Sequence, residues 1–324
     1  MTTELERAIR AQPEALQRIV ELDITDAVQK VATWQRLWLI GTGTSQHAAE
    51  LGARMFRQAG VDAHAIPAMH FAIEEPPLRA GDAAIIITHT AQTAFALASR
   101  ARAAAEGLST LSISRKDGPL PDAIGTVLKE KSETYTVSYT TTLLLLARLA
   151  ASLGAKSWSD EVIGDVPHAV RIALDTPGTE DIPIPKRLLV LSGVGAASVT
   201  AREGALKVRE AARFPAEGYD AEYLLHGSAV PLNASDQLLL LEPPDDGAGF
   251  LDSLGRAAHG SGIPVSRVRE NADLPNLLAQ IPLTVRLQLL ALRIAIKRGQ
   301  DPDTVITGAW DDEKLWTIGT PPRG

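Results

Sequence analysis

Three segments of the chain gather hydroxyl side chains where an apolar run gives way to a helical pattern. They are Gly41-Thr42-Gly43-Thr44-Ser45, Thr88-His89-Thr90-Ala91-Gln92-Thr93 and Thr136-Val137-Ser138-Tyr139-Thr140. A strand that ends where a helix begins leaves backbone N–H groups unpaired, and the helix dipole favours negative charge there. Gly43, Thr44, Ser45, Thr88, His89, Thr90, Thr93, Thr136 and Ser138 are therefore candidate anion-binding residues. Three such ends in one half of the chain could converge on one anion. The plain alternative for any one of them is a Thr or Ser that caps its helix.

A second group lies further on. Glu203, Lys207 and Glu210 stand at i, i+4 and i+7, one face of a helix. His226 follows beside Gly227 in an expected loop. A Glu–Lys pair at i, i+4 is commonly a solvated surface pair of small value. A loop histidine bonded to backbone is the plain alternative for His226. Yet an aldose–ketose proton shift needs these two residue types. A carboxylate moves a proton between adjacent carbons, and an imidazole helps to open the ring. The other histidines (His47, His64, His70, His168, His259) lack pairing with acids such as H-E-x-x-H, so no metal site is expected. No cofactor is expected either. Gln46 stands where a dinucleotide fingerprint needs its third glycine, no acid ends the second strand, and no G-K-[ST] occurs in either loop.

These residues need elements to position them. Apolar runs predict strands at 36–40, 62–66, 82–87, 108–113 and 126–130. Helical spacing covers residues 1–34, 46–59, 92–106 and 143–153, with a break or restart at Pro13. Strands alternating with helices imply an α/β fold with parallel strands. Residues 175–186 are rich in proline and acid and read as a linker, after which the pattern restarts. Arg187 lies 151 residues after Arg36, and Asp236 lies 154 residues after Asp82. Two landmarks at nearly one offset suggest an internal duplication. The expected organisation is a helical segment at 1–34, a first domain at 35–174, the linker at 175–186, and a second domain with tail at 187–324. In the second half the loop matching Thr88–Thr93 is Glu242-Pro-Pro-Asp-Asp-Gly, which is acidic and should repel phosphate.

Composition sets limits. The chain has 324 residues, a formal net charge of −7 and no cysteine. That excludes thiolate metal sites and cysteine nucleophiles in this chain, and makes nucleic acid a poor partner. The charged start carries no apolar signal region, and no run reaches the roughly 18 uninterrupted apolar residues of a membrane span. A soluble cytoplasmic protein without a membrane partner is expected.

Taken together, the residues resemble the double sugar isomerase (SIS) domain family. The chain is similar to the isomerase half of glucosamine–fructose-6-phosphate aminotransferase and to related sugar-phosphate deaminases and deglycases. The likeness is carried by Gln12-Pro13-Glu14-Ala15-Leu16, Gly43-Thr44-Ser45, the Thr88–Thr93 loop, Glu133 with Thr136 and Ser138, Glu203-Gly-Ala-Leu-Lys207-x-x-Glu210, Ala216-Glu217-x-Tyr219 and His226-Gly227. The resemblance implies two flavodoxin-like SIS subdomains, each a parallel sheet flanked by helices in three αβα layers. It implies a sugar phosphate held by Ser45, Thr88, Thr90 and Thr93. It implies Glu210 as the enolising base, Lys207 near it, His226 in ring opening, and Glu133 and Glu203 in support. It also implies a homodimer in which the histidine reaches the site of the partner subunit.

The chain departs from the family pattern S-x-S-G-x-T in its anion loop. Ala91 replaces glycine, threonines replace serines, and His89 is unusual. A sulfonate in place of the phosphate is one consequence to consider. Trp310 stands where the aminotransferase tail has a lysine, and Lys314 is a weak substitute. No glutamine-hydrolysing domain is expected, so transfer from glutamine is the least expected family reaction. The expected activity is isomerisation, deamination or deglycation of an amino sugar 6-phosphate through an enol or enolamine. The rivals are a non-catalytic sugar-phosphate sensor and, third, a NAD enzyme.

Overall fold

Near-continuous apolar strands are buried on both faces, which is the environment of a parallel sheet. The computed structural model describes residues 2–74, 76–120, 122–155, 158–244 and 249–319, and its strands form two such sheets. The first contains β1 (Arg36–Gly41), β2 (Asp62–Pro67), β3 (Asp82–Ile87), β4 (Ser109–Ser114) and β5 (Ala123–Gly125) in the order β2-β1-β3-β4-β5. The second contains β6 (Leu189–Gly193), β7 (Ala216–Asp220), β8 (Gln237–Glu242) and β9 (Val265–Arg269) in the order β7-β6-β8-β9. Every strand pair is parallel. Both orders follow the flavodoxin-like doubly wound pattern, which binds ligands beyond the carboxyl ends of its strands.

The two compact units are discontinuous in sequence, unlike the contiguous blocks 35–174 and 187–324. The N-terminal unit comprises residues 14–130, 137–163 and 306–319, and the C-terminal unit comprises 2–13, 131–136 and 164–305. Hydrogen bonds explain the interleaving in the C-terminal unit. The amides of Glu4 and Leu5 donate to Asp303, and Ser132 and Thr134 hydroxyls donate to the Pro302 carbonyl. Residues 175–186 do not run free, because the carbonyls of Thr176 and Ile182 accept from Arg286 and Arg293 of the helix Asn276–Arg298.

The same devices recur in both units. Arg36 forks onto Asp82 and donates to the Pro77 carbonyl at 2.8 Å. Arg187 forks onto Asp236 and donates to the Pro231 carbonyl at 2.7 Å. Gly52 lets its helix approach Leu39, and Gly204 lets its helix approach Leu191, each pair offset by 152 residues. Gly41 and Gly193 end the first strand of each unit against the next helix backbone. A Cβ on Gly193 would sit 2.7 Å from the Ala197 carbonyl carbon, and one on Gly41 would strike the Ser45 carbonyl. The packed layers are apolar, with Ile40, Ile86 and Phe71 in one core and Val190, Leu238 and Leu251 in the other.

Two sequence expectations change, and two elements, β7 and the helix Asn276–Arg298, were not assigned from the sequence. The strand expected at 126–130 is β5 at Ala123–Gly125, and residues 126–130 form a loop. The helix expected from Leu143 begins at Val137, because the Glu130 carboxylate accepts from the Val137 and Ser138 amides. The strand β7 escaped notice because Ala-Glu-Gly-Tyr-Asp is not an apolar run; it is an edge strand pressed to its helix through Gly218. The helix Asn276–Arg298 has the length and apolarity to cross a membrane, yet it is a buried core helix of the C-terminal unit. It carries Arg286, paired to Glu270 at 2.8 Å, and Gln280, which accepts from Thr200 at 2.7 Å.

The tight strand–helix approach yields a first prediction. Gly41→Ala should lower stability by about 2–3 kcal/mol through overpacking against a backbone that cannot move aside. Urea denaturation of the two proteins measures it, and equal midpoints would contradict it.

Candidate functional site

The anion-binding residues divide by what already satisfies their donors. Beyond β3, Thr88 is 3% exposed and its Oγ1 has no hydrogen-bond partner among the described residues. A buried hydroxyl without a partner is a costly arrangement that a ligand can relieve. The chain then turns at Ala91, whose φ of 53° lies in the left-handed region. Gln92 N–H donates to Thr90 Oγ1 at 3.2 Å. The helix Ala94–Ala105 starts after Thr93 with no side-chain cap on its N-terminus. Orphan hydroxyl, hydroxyl-lined turn and uncapped helix N-terminus therefore meet in one loop, which can hold an anion.

The other two clusters are less open. At the helix Thr44–Gln58, Gly43 takes φ 55° and ψ −129°, which glycine alone adopts with ease. The Ser45 and Gln46 amides already donate to the Thr42 and Gly43 carbonyls at 3.1 and 2.9 Å. At the helix Val137–Ser152, Glu130 fills the N-terminus, accepting from Val137 N–H at 3.1 Å and Ser138 N–H at 2.9 Å. A carboxylate there already takes two of the backbone amides that an anion at this N-terminus would use. Thr136 is fully buried and falls in the C-terminal unit, whereas Ser138 falls in the N-terminal unit. Glu133 ties backbone together, donating its N–H to the Asp303 carbonyl at 2.9 Å and accepting from Val305 N–H at 2.6 Å.

In the C-terminal unit the helix Ala196–Ala212 presents Glu203, Lys207 and Glu210 on one face. This is not a solvated surface pair. Glu203 and Lys207 are both fully buried. Lys207 Nζ donates to Glu210 Oε2 at 2.5 Å and lies 3.5 Å from Glu203 Oε1. An ammonium removed from water needs such counter-charge. Glu210 retains a side-chain exposure of 20%, so a reactant can reach it. Burial pushes its carboxyl above the ordinary value, and the Lys207 ammonium opposes that rise. A carboxylate with a raised pKa takes up protons more readily than a surface acid.

His226 sits after β7 in a widened turn, Leu224–Ser228, kinked by Gly227 at φ 112°. Its side chain is exposed and makes no hydrogen bond among the described residues, to Glu210 included. Tyr223, Leu225 and Val230 around it are exposed apolar residues. Tyr219 donates to Glu217 and stacks on Tyr223 with ring centroids 6.1 Å apart.

Glu242 sits 154 residues after Thr88, at the end of β8. It is 5% exposed and is clasped by Arg267 and by Arg269, the latter at 2.7 Å. Thus Glu242, the first acid of the loop that the sequence reads as acidic, is part of a carboxylate–guanidinium cluster. Asp245, Asp246 and Gly247 of that loop lie outside the described residues. Sequence reasoning missed Arg267 and Arg269 because β9 went unrecognised. Among the described residues no three His, Asp or Glu side chains converge as metal ligands. Trp310 is 70% exposed, and Lys314 is exposed beside it in the tail.

Residues 30–152 match the SIS domain. Over 92% of its length the chain is 27% identical to the glutamine–fructose-6-phosphate aminotransferase (isomerizing) of Thermococcus kodakarensis, covering 56% of that protein. It has the same identity to the enzyme of that name from Pyrococcus horikoshii, covering 55% of it. The chain spans about half the length of the curated relatives it matches. Among solved structures it is similar to the C-terminal domain of glucosamine-fructose-6-phosphate aminotransferase from Francisella tularensis. The TM-score is 0.78 and the identity 20%, over 94% of this chain and 98% of that one. It is also similar to glucosamine-6-phosphate deaminase from Thermotoga maritima, with TM-score 0.79 and 22% identity over 94% and 97%. These likenesses show the fold of two flavodoxin-like units, and the chain resembles the double SIS family.

The turn at Ala91 yields a second prediction. A left-handed φ costs a non-glycine residue roughly 1–2 kcal/mol. Ala91→Gly should therefore raise the melting temperature without loss of anion binding. A lower melting temperature would show that the Ala91 methyl is needed for packing.

Proposed function

We propose, taking as premise that residues 30–152 are a SIS domain and that the chain resembles the double SIS family, that this protein is a sugar-phosphate isomerase or isomerising deaminase. Its substrate is an amino sugar 6-phosphate or the corresponding ketose 6-phosphate. The observation that supports this reading best is the Glu203–Lys207–Glu210 cluster. It sets a reachable carboxylate of raised pKa beside a buried ammonium.

The chemistry follows from the side chains. The Thr88–Thr93 loop takes the phosphate. Glu210 removes a proton from the carbon next to the carbonyl or iminium carbon, leaving an enol or enolamine, and returns it to the neighbouring carbon. No bond to an external group is needed for that shift. In a deaminase, water then replaces ammonia at the former amino-bearing carbon. Lys207 stays beside Glu210 and offsets the negative charge that develops. His226 serves ring opening as an acid–base imidazole. Its exposure, with Tyr223, Leu225 and Val230 around it, supports a homodimer in which it serves the site of a second copy.

Turnover of glucosamine 6-phosphate, fructosamine 6-phosphate and fructose 6-phosphate tests this. Glu210→Gln should lower kcat/KM by about 10²–10⁴ on the substrate that reacts. Glu210 must be ionised to act, so wild-type kcat/KM should fall with acid at a pH above 4.5, the carboxyl's ordinary value. Binding of these sugars without turnover, in wild type and Glu210→Gln alike, would make the protein a sensor instead.

A further inference from the structure

His89 stands between Thr88 and Thr90 in the anion loop. Its backbone carbonyl accepts from Arg115 N–H and Ser114 Oγ, both at 3.2 Å, which fixes it to the end of β4. Its ring turns towards the next loop, where Nε2 accepts the Glu130 backbone N–H at 3.3 Å. An accepting Nε2 requires a neutral ring with its proton on Nδ1. The Glu130 carboxylate in turn accepts from Val137 and Ser138 N–H at the start of the helix Val137–Ser152. Through Glu130, one chain of hydrogen bonds links the anion loop to Ser138, all within the N-terminal unit.

We propose that His89 is a positioning residue whose neutral ring holds the anion loop in register with Ser138, and that protonation of the ring releases the loop and weakens anion binding. The inference rests on the proposed reading of Thr88–Thr93 as the anion site. The reason is geometric. A protonated ring donates from both nitrogens, so Nε2–H would face the Glu130 N–H, and the pin would become a repulsion. The charged groups that bear on the ring are the carboxylates of Glu130 and Asp117 and the cations of Arg115 and Lys129. Burial is the largest influence on it and disfavours the imidazolium, so the ring stays neutral near pH 7.

The sign of the pH effect separates this from ordinary electrostatics. As pH falls the protein loses negative charge, and an imidazolium adds positive charge. Both changes alone would tighten an anion. Loss of the pin loosens it.

The test is calorimetric titration with sodium sulfate, a dianion throughout the range from pH 5 to 8, with circular dichroism confirming a folded chain at each pH. For wild type, binding should weaken about fivefold or more as pH falls from 7.5 through the protonation of the His89 ring, which NMR of the histidine ring signals follows. His89→Gln, whose amide oxygen accepts without titrating, should bind as wild type does at pH 7.5 and stay level. His89→Ala should bind weakly throughout. Wild-type binding that is unchanged or tighter at a pH where the ring signals show His89 protonated, or a parallel fall in His89→Gln, would overturn the role of His89 while leaving the anion site in place, as would a ring that never protonates while the chain is folded. No sulfate binding by wild type at pH 7.5 would remove the anion site and this inference with it.

Discussion

A lysine ammonium with no solvent exposure must have counter-charge, and Lys207 dictates much of the C-terminal unit. Glu203 and Glu210 flank it on the same helix face, one fully buried and one reachable. That helix can present them only because it lies close to its sheet. Gly193, Gly204 and Gly218 each sit where a Cβ would meet the facing backbone or a packed leucine. Close approach buries the lysine, the buried lysine requires the carboxylates, and partial burial of Glu210 raises its affinity for a proton. The raised proton affinity of Glu210 is thus a consequence of packing. Replacing Lys207 with an apolar residue would strand two acids.

The two units show one design put to two uses. Both have the Arg–Asp fork onto a proline carbonyl, the glycine that ends the first strand, and the glycine that seats the following helix. They diverge at the end of the third landmark strand. In the N-terminal unit Thr88 is buried with an unsatisfied hydroxyl before an uncapped helix. In the C-terminal unit Glu242 stands at the corresponding place, already clasped by two arginines. One copy leaves a hydroxyl unpartnered at that strand end among the described residues, and the other places a carboxylate–guanidinium cluster there. Beside that loop, Glu130 fills the neighbouring helix N-terminus, accepting from the Val137 and Ser138 amides.

Much of this was legible in the sequence. The strands Asp82–Ile87 and Arg36–Gly41 are uninterrupted apolar runs, and their offsets of 151 and 154 residues from the second copy reveal the repeat before any coordinates. The spacing of Glu203, Lys207 and Glu210 gave the shared helix face. It did not give the burial, because i, i+4 Glu–Lys pairs look alike on a surface and in a core. The edge strand β7 and the arginine-bearing β9 were missed, since short polar strands carry no periodic signal. Capping by Glu130 was also out of reach, because the side chain acts seven and eight residues away across a loop. The interleaving of the units escaped for a similar reason. It rests on single contacts such as Asp303 with Glu4 and Leu5, which no local pattern encodes.

The central claim is that Glu210 moves a proton on a carbon beside a carbonyl. Proton NMR of fructose 6-phosphate and glucosamine 6-phosphate incubated with the protein in deuterium oxide reads that step without requiring net turnover. The account predicts that wild type replaces hydrogen by deuterium at carbon 1 or carbon 2 of at least one sugar, and that Glu210→Gln does not. Absence of exchange with both sugars in wild type, or equal exchange by Glu210→Gln, would contradict it.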